Sequence, residues 1–209
     1  MAEKLYLMSG HTSTGRLKEL DRRALLEAHP RKVLVINLSS QKAKAQARED
    51  FFRKYFRDLG AEFVETIEED TEEFMVEQKF LYNGLVYLPG GDTETLIQNI
   101  RDKGLVSHLK SFGGIISGNG AGAYAMCPDY LRIGHGAPEI IPSLGMVPFW
   151  TKAHYEPKFD QDLMKLSEEG RVIYAIENES AVVVGNGHSF IGNVWLFHEG
   201  RKEQISSAA

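Results

Sequence analysis

Sulfur crosslinking is absent from this chain, which has one cysteine, Cys127, among 209 residues. A lone thiol excludes an internal disulfide and fits a reducing compartment. Long apolar runs are also missing. No stretch approaches the ~20 residues of a membrane-spanning helix, and the N-terminal apolar segment turns polar at Ser9 and Gly10, too early for a signal-peptide core. There is no basic excess either: 24 Lys and Arg stand against 29 Asp and Glu, a net charge of -5. The electropositive footprint that nucleic acids require is therefore lacking. These absences point to a cytoplasmic protein with no membrane or nucleic-acid partner, and no metal or cofactor is expected.

What is present suits one α/β domain spanning residues 1–209, with 43% hydrophobic and 25% charged residues. Short apolar runs alternate with helical patterns, which predicts a doubly wound, mostly parallel sheet with helices on both faces. Strands are expected at 4–9, 32–37, 61–65, 84–88 and 114–117, with closing strands at 172–176, 181–184 and 194–198. The clearest helix carries Phe52, Tyr55, Phe56 and Leu59 at i, i+3, i+4, i+7 and stops at Gly60. A second is expected over 161–170. The acidic run Glu65, Glu68, Glu69, Asp70, Glu72 and Glu73 reads as a solvated helix start, since carboxylates favour the positive end of the helix dipole. Residues 127–157 hold Pro128, Gly134, Gly136, Pro138, Pro142, Gly145, Pro148 and Pro157, which excludes one regular helix. An irregular stretch of that length is usually functional.

One further absence concerns chemistry. The run Gly118-Asn119-Gly120-Ala121-Gly122-Ala123 follows a buried-strand pattern and leads into Tyr124-Ala125-Met126. Strand, sharp turn and helix make the pattern of a nucleophile elbow, whose central residue carries the attacking side chain. Here that residue is Gly120. Ser117 lies too early to occupy the apex and Cys127 too late. Two other segments complete a candidate site at the carboxyl ends of the strands. Leu88-Pro89-Gly90-Gly91-Asp92-Thr93 offers a glycine turn whose N–H groups could serve an oxyanion, as could that of Ala121. Lys152-Ala153-His154-Tyr155-Glu156 offers a histidine base with a carboxylate two positions on.

These segments, together with Ile176-Glu177-Asn178-Glu179-Ser180-Ala181-Val182-Val183-Val184, resemble in order and spacing the dipeptidase E and cyanophycinase family of serine peptidases. The resemblance implies a fold like that of the class I glutamine amidotransferases, a flavodoxin-like three-layer sandwich. It also implies hydrolysis of acidic dipeptides or isopeptides by a serine at position 120, with His154 as base. Gly90, Gly91, Asp92, Asn119 and Ala121 would then surround the oxyanion and substrate. The acid that orients the base is left open between Glu156, which has the His-x-Glu spacing of the amidotransferase relatives, and Asp129 or Glu139 from the irregular stretch. The implied partner is a small peptide or acidic small molecule, and homodimerisation stays open.

With Gly120 in place the covalent route is closed. The chain is then a catalytically impaired peptidase homologue, a natural pseudoenzyme that binds peptide-like or acidic molecules, or an engineered nucleophile knockout. Glycine favours natural drift, since it adopts a strained elbow backbone without the side-chain penalty. A rival reading takes Gly118-x-Gly120-x-x-Ala123 as a dinucleotide fingerprint with Glu139 as ribose acid. The prolines and glycines that follow break the helix and second strand which that reading needs.

Overall fold

The computed structural model describes residues 2–10, 15–40, 45–133 and 138–207. Gly134 and Gly136 lie outside the described residues. The elements run β1 (Lys4–Ser9), α1 (Gly15–Glu27), β2 (Lys32–Ile36), α2 (Ala45–Leu59), β3 (Phe63–Ile67), α3 (Glu73–Tyr82), β4 (Leu85–Leu88), α4 (Thr93–Asp102), α5 (Leu105–Ser111), β5 (Ile115–Asn119) and α6 (Ala121–Met126). There follow β6 (Asp129–Arg132), β7 (Glu139–Pro142), β8 (Trp150–Ala153), a 3-10 turn at Pro157–Phe159, α7 (Asp160–Glu168), β9 (Ile173–Ile176), β10 (Ser180–Val184), β11 (His188–Ile191), β12 (Val194–His198) and β13 (Arg201–Ser206).

Seven strands form the main sheet in the order β11-β10-β1-β5-β4-β2-β3. The run from β1 to β3 is parallel throughout, and β10 and β11 join antiparallel at one edge. Side-chain alternation splits each inner strand between two cores. Leu5, Leu7, Leu34, Ile36, Val86 and Leu88 pack on one face with residues of α3, α4, α5 and α6. Tyr6, Met8, Val33, Val35, Leu85 and Tyr87 pack on the other with α1 and α2. Helices thus cover both faces of a mostly parallel sheet, as the sequence pattern predicts.

The strands β9 and β12 were expected as closing strands, but their separation with β8 and β13 into a second sheet, β13-β12-β9-β8, and the two-stranded ribbon β6-β7 were not foreseen. The second sheet packs against α7 around Leu163, Ile173 and Phe197. Three of these strands, β6, β7 and β8, lie within the stretch read as irregular.

Two boundary corrections have clear causes. The α2 helix ends in a Schellman motif: Ala61 N–H donates to the Phe56 carbonyl at 2.9 Å and Gly60 N–H to that of Arg57 at 3.0 Å. Ala61 is therefore part of the helix stop, and β3 starts at Phe63. The acidic run likewise divides. Only Glu72 and Glu73 stand at the start of α3. Glu65 is on β3, bonded to Lys79 Nζ at 2.9 Å and Asn83 Nδ2 at 2.6 Å, and Glu68 accepts from Asn37 Nδ2 at 2.7 Å.

Candidate active site

Four chain segments meet above the carboxyl end of β1. At the top of β5, Gly120 has φ 52° and ψ −103°, a backbone conformation that L side chains rarely adopt. Its N–H donates to the Met8 carbonyl and its own carbonyl accepts from Tyr124 N–H, both at 3.0 Å. These bonds turn the chain sharply from β5 into α6, the strand-turn-helix geometry of an elbow. A β-carbon built on Gly120 would lie 3.4 Å from His154 Nε2. The histidine expected to serve the elbow therefore faces it.

His154 follows β8 directly and has φ 51°, strained for a non-glycine residue. Its N–H donates to Ser9 Oγ at 2.7 Å, and Ser9 O in turn accepts from Glu179 N–H at 2.6 Å. The ring is held from its far side by Asn178, whose Oδ1 lies 2.6 Å from Nδ1. With the amide oxygen as acceptor, Nδ1 carries the proton and the Nε2 lone pair is directed toward Gly120.

This corrects the expected acids. The Glu156 carboxylate is exposed and pairs with Lys158 Nζ at 2.8 Å. Glu156 is the extended residue before the 3-10 turn, and its side chain points to solvent rather than to the ring. Glu139 forms an ion pair with Arg132 on the β6-β7 ribbon, and Asp129 opens the same ribbon opposite Pro142. Among the described residues none of the three bonds the imidazole. Asn178 lay in the segment used as a strand-pair signal, and the turn between β9 and β10 is what delivers it. Asn178→Ala is expected to shift the His154 tautomer population, read by 15N NMR, whereas Glu156→Gln leaves it unchanged and alters stability by no more than about 0.5 kcal/mol.

The glycine turn after β4 faces the elbow across a cavity of about 640 Å³, lined by Gly90, Gly91, Asn119, Gly120, Ala121 and His154. Ala121 opens α6, where a helix has no carbonyl one turn earlier for its N–H. Asn119 is buried and donates from Nδ2 to the Gly10 carbonyl at 3.1 Å. Asp92 caps a helix and is absent from the residues that line the cavity. Its Oδ1 accepts from Thr95 N–H at 2.7 Å as the N-cap of α4, and that bond lowers its carboxyl pKa.

Two cations stand around this cavity. Half-buried Arg48, on α2, lines it and bonds Asn37 Oδ1 at 3.0 Å, Ser39 Oγ at 2.9 Å and the Gly90 carbonyl at 2.9 Å. Buried Lys152 lies behind Tyr124, its Nζ 3.4 Å from the tyrosine hydroxyl and 4.1 Å from the centroid of the Phe159 ring. Desolvation lowers the proton affinity of both, that of Lys152 to a pKa of about 8. Among the described residues neither has a carboxylate within ion-pair distance. Sequence reasoning missed Arg48, although it continues the buried stripe of α2 one turn before Phe52.

The two other nucleophiles weighed from the sequence, Cys127 and Ser117, do not reach the elbow. Cys127 is buried with Sγ against Thr151 Oγ1 and the Ala123 carbonyl, and burial pushes its thiol up to about 12. Ser117 is fully buried against Met8 Sδ at 3.9 Å. Among the described residues the structure does not supply the second parallel strand that the dinucleotide reading needs after α6, since the chain there enters the antiparallel β6-β7 ribbon. Gly122, where a β-carbon would run into the Leu88 carbonyl, serves helix-to-sheet contact. Glu139, the proposed ribose acid, is committed to Arg132.

The signature of peptidase family S51 matches residues 5–191. The chain belongs to peptidase family S51. This is the dipeptidase E and cyanophycinase family, and the match takes in every segment of the cavity. No curated protein matches the chain. Among solved structures it is similar to a peptidase from an acI-B1 Actinobacterium, with 14% identity and a TM-score of 0.80 over 100% of this chain and 96% of the other. It is also similar to a protein provisionally assigned as peptidase E from Listeria monocytogenes EGD-e, with 21% identity and a TM-score of 0.66 over 91% and 98%. At these identities the likeness supports the S51 fold. Among the described residues no helix is long and apolar enough to cross a membrane.

Proposed function

We propose that this S51 member binds acidic dipeptides or isopeptides in a peptidase-type cleft and hydrolyses them poorly or not at all. The observation that carries the reading is the elbow geometry: His154 Nε2 lies 3.4 Å from the β-carbon position of a residue that has no side chain. In a serine-bearing site of this shape the hydroxyl would attack the amide carbonyl and pass its proton to Nε2. The resulting oxyanion would lie between the N–H groups of Gly91 and Ala121. Here attack lacks its nucleophile, while the donors, being backbone groups, remain. Loss of the nucleophile typically leaves only about 10³ to 10⁴-fold acceleration from binding and the oxyanion hole.

Arg48 supports an acidic ligand. A guanidinium in the cavity wall, partly desolvated and without a carboxylate partner among the described residues, gains most from a ligand that brings one. Acidic dipeptides such as Asp-Leu are expected to raise the melting temperature, with about 2.7 kcal/mol of stabilisation at a hundredfold excess over Kd. A broad thermal-shift screen with no stabilising acidic peptide or carboxylate would remove the binding reading. Turnover of the same panel at ~1 to 10³ per second would remove the impairment.

A further inference from the structure

The Gly90–Gly91 peptide is gripped from one side. Its carbonyl oxygen accepts from Ser39 Oγ and from Arg48 Nη2, each at 2.9 Å. The guanidinium is itself fixed, with Nη2 also on Ser39 Oγ at 2.9 Å, Nε on Asn37 Oδ1 at 3.0 Å, and its carbon 5.5 Å from the centroid of the Phe52 ring. Ser39 is buried, and its carbonyl accepts from Asp92 N–H at 3.0 Å. The next residue is pressed against the same wall, since a β-carbon on Gly91 would stand 2.6 Å from Ser39 O. On the opposite side, the β-carbon position of Gly90 is 3.5 Å from the carbonyl of Asn119, the residue before Gly120.

A trans peptide points its C=O and N–H in opposite directions. A carbonyl pinned toward Ser39 and Arg48 therefore turns the Gly91 N–H away from them. A peptide between two glycines resists inversion weakly, because neither residue has a β-carbon to bar the alternative dihedrals. Inversion would replace a donor in the cavity with a carbonyl oxygen, which repels an oxyanion.

We propose that Arg48 and Ser39 are positioning residues that fix the Gly90–Gly91 peptide and so present the Gly91 N–H to the cavity. Arginine suits this task better than lysine. Its planar fork reaches Asn37, Ser39 and Gly90 together, whereas an ammonium has no such fixed geometry. The inference rests on the peptidase-type reading of the cleft for its catalytic consequence, but not for its geometry.

The geometry is tested by the crystal structure of the Ser39→Ala, Arg48→Met double variant of the full chain. The Gly90 carbonyl is expected to turn toward the cavity, and an unchanged peptide orientation overturns the proposal. Should the double variant not fold, amide NMR of the single variants Ser39→Ala and Arg48→Met decides. A broadened or doubled Gly91 resonance is expected, and a single unshifted one in both overturns it. The consequence is tested by adding Arg48→Met to Gly120→Ser. A fall in kcat of about 10² to 10³-fold, the usual loss for one oxyanion donor, is expected beyond any rise in KM from the lost charge, with partial recovery in Arg48→Lys. A loss confined to KM, with kcat unchanged, would leave Arg48 a ligand-binding group alone and overturn its positioning role. If Gly120→Ser has no activity, the functional reading fails while the peptide-orientation result still stands or falls by itself.

Discussion

Gly120→Ser is expected to convert the cleft into a serine-reactive hydrolase site, with turnover of acidic dipeptides rising ~10³-fold or more over the parent chain and with covalent labelling by a fluorophosphonate. The expectation follows from three fixed elements. The β-carbon would stand 3.4 Å from His154 Nε2, which a hydroxyl rotor can bridge. Asn178 Oδ1 holds the tautomer that leaves Nε2 able to take a proton, as an asparagine does in papain-like Cys-His-Asn sites. The proposed donors, the N–H groups of Gly91 and Ala121 in the cavity lining, are main-chain groups that the substitution does not touch. Serine must accept φ 52° and ψ −103°, so the variant should lose about 1 to 3 kcal/mol of stability, measurable by urea unfolding. Adding His154→Ala should abolish both turnover and labelling. A folded Gly120→Ser protein that neither reacts with the fluorophosphonate nor cleaves acidic dipeptides would sink the triad reading and leave only the fold and family.

The candidate site was legible in the sequence where a local backbone pattern shapes it and illegible where side chains converge from distant segments. Gly120, Ala121 and the Gly90–Gly91 turn could be read because strand-turn-helix units have local signatures. His154 could be read because the resemblance supplied its place in chain order. Asn178 could not. Its contact with His154 spans 24 residues and depends on the turn between β9 and β10 lying beside the end of β8, a consequence of the parallel pairing of β8 with β9. The expectation of Glu156 as partner came from the His-x-Glu spacing, whereas the extended residue before the 3-10 turn holds Glu156 at the surface, paired with Lys158.

The same distinction holds for the fold. The buried parallel strands β1, β2, β4 and β5 are near-continuous apolar runs and could be placed within about two residues. The β13 strand, Arg201–Ser206, has no fully buried residue and a single apolar one, Ile205, so it has no apolar alternation to detect. The short β6-β7 ribbon is embedded among prolines that argue against regular structure. Each of these strands gains its identity from pairing with a partner rather than from its own pattern.

Raising the pH from about 4 to 8 is expected to weaken this protein through one buried carboxylate, Asp21, and Asp21→Asn should remove that dependence. Asp21 is 1% exposed on the face of α1 that meets α2. Its Oδ2 accepts from the Tyr55 hydroxyl at 2.6 Å, and Oδ1 has no hydrogen-bond partner among the described residues. Desolvation outweighs the tyrosine bond and raises the carboxyl pKa from 3.8 to about 7. Between those values the folded chain holds a proton that the unfolded chain has released, so stability falls as pH rises through the window and levels off above it. A shift of roughly 3 units at 1.36 kcal/mol each puts the loss on the order of 4 kcal/mol. Asparagine keeps an acceptor for Tyr55 and cannot ionise, so the variant should match the parent near pH 4 and exceed it near pH 8. Urea unfolding of both proteins at the two pH values supplies the difference, in which the other titrating groups cancel. A difference that does not change with pH would show that Asp21 ionises alike in the folded and unfolded chains.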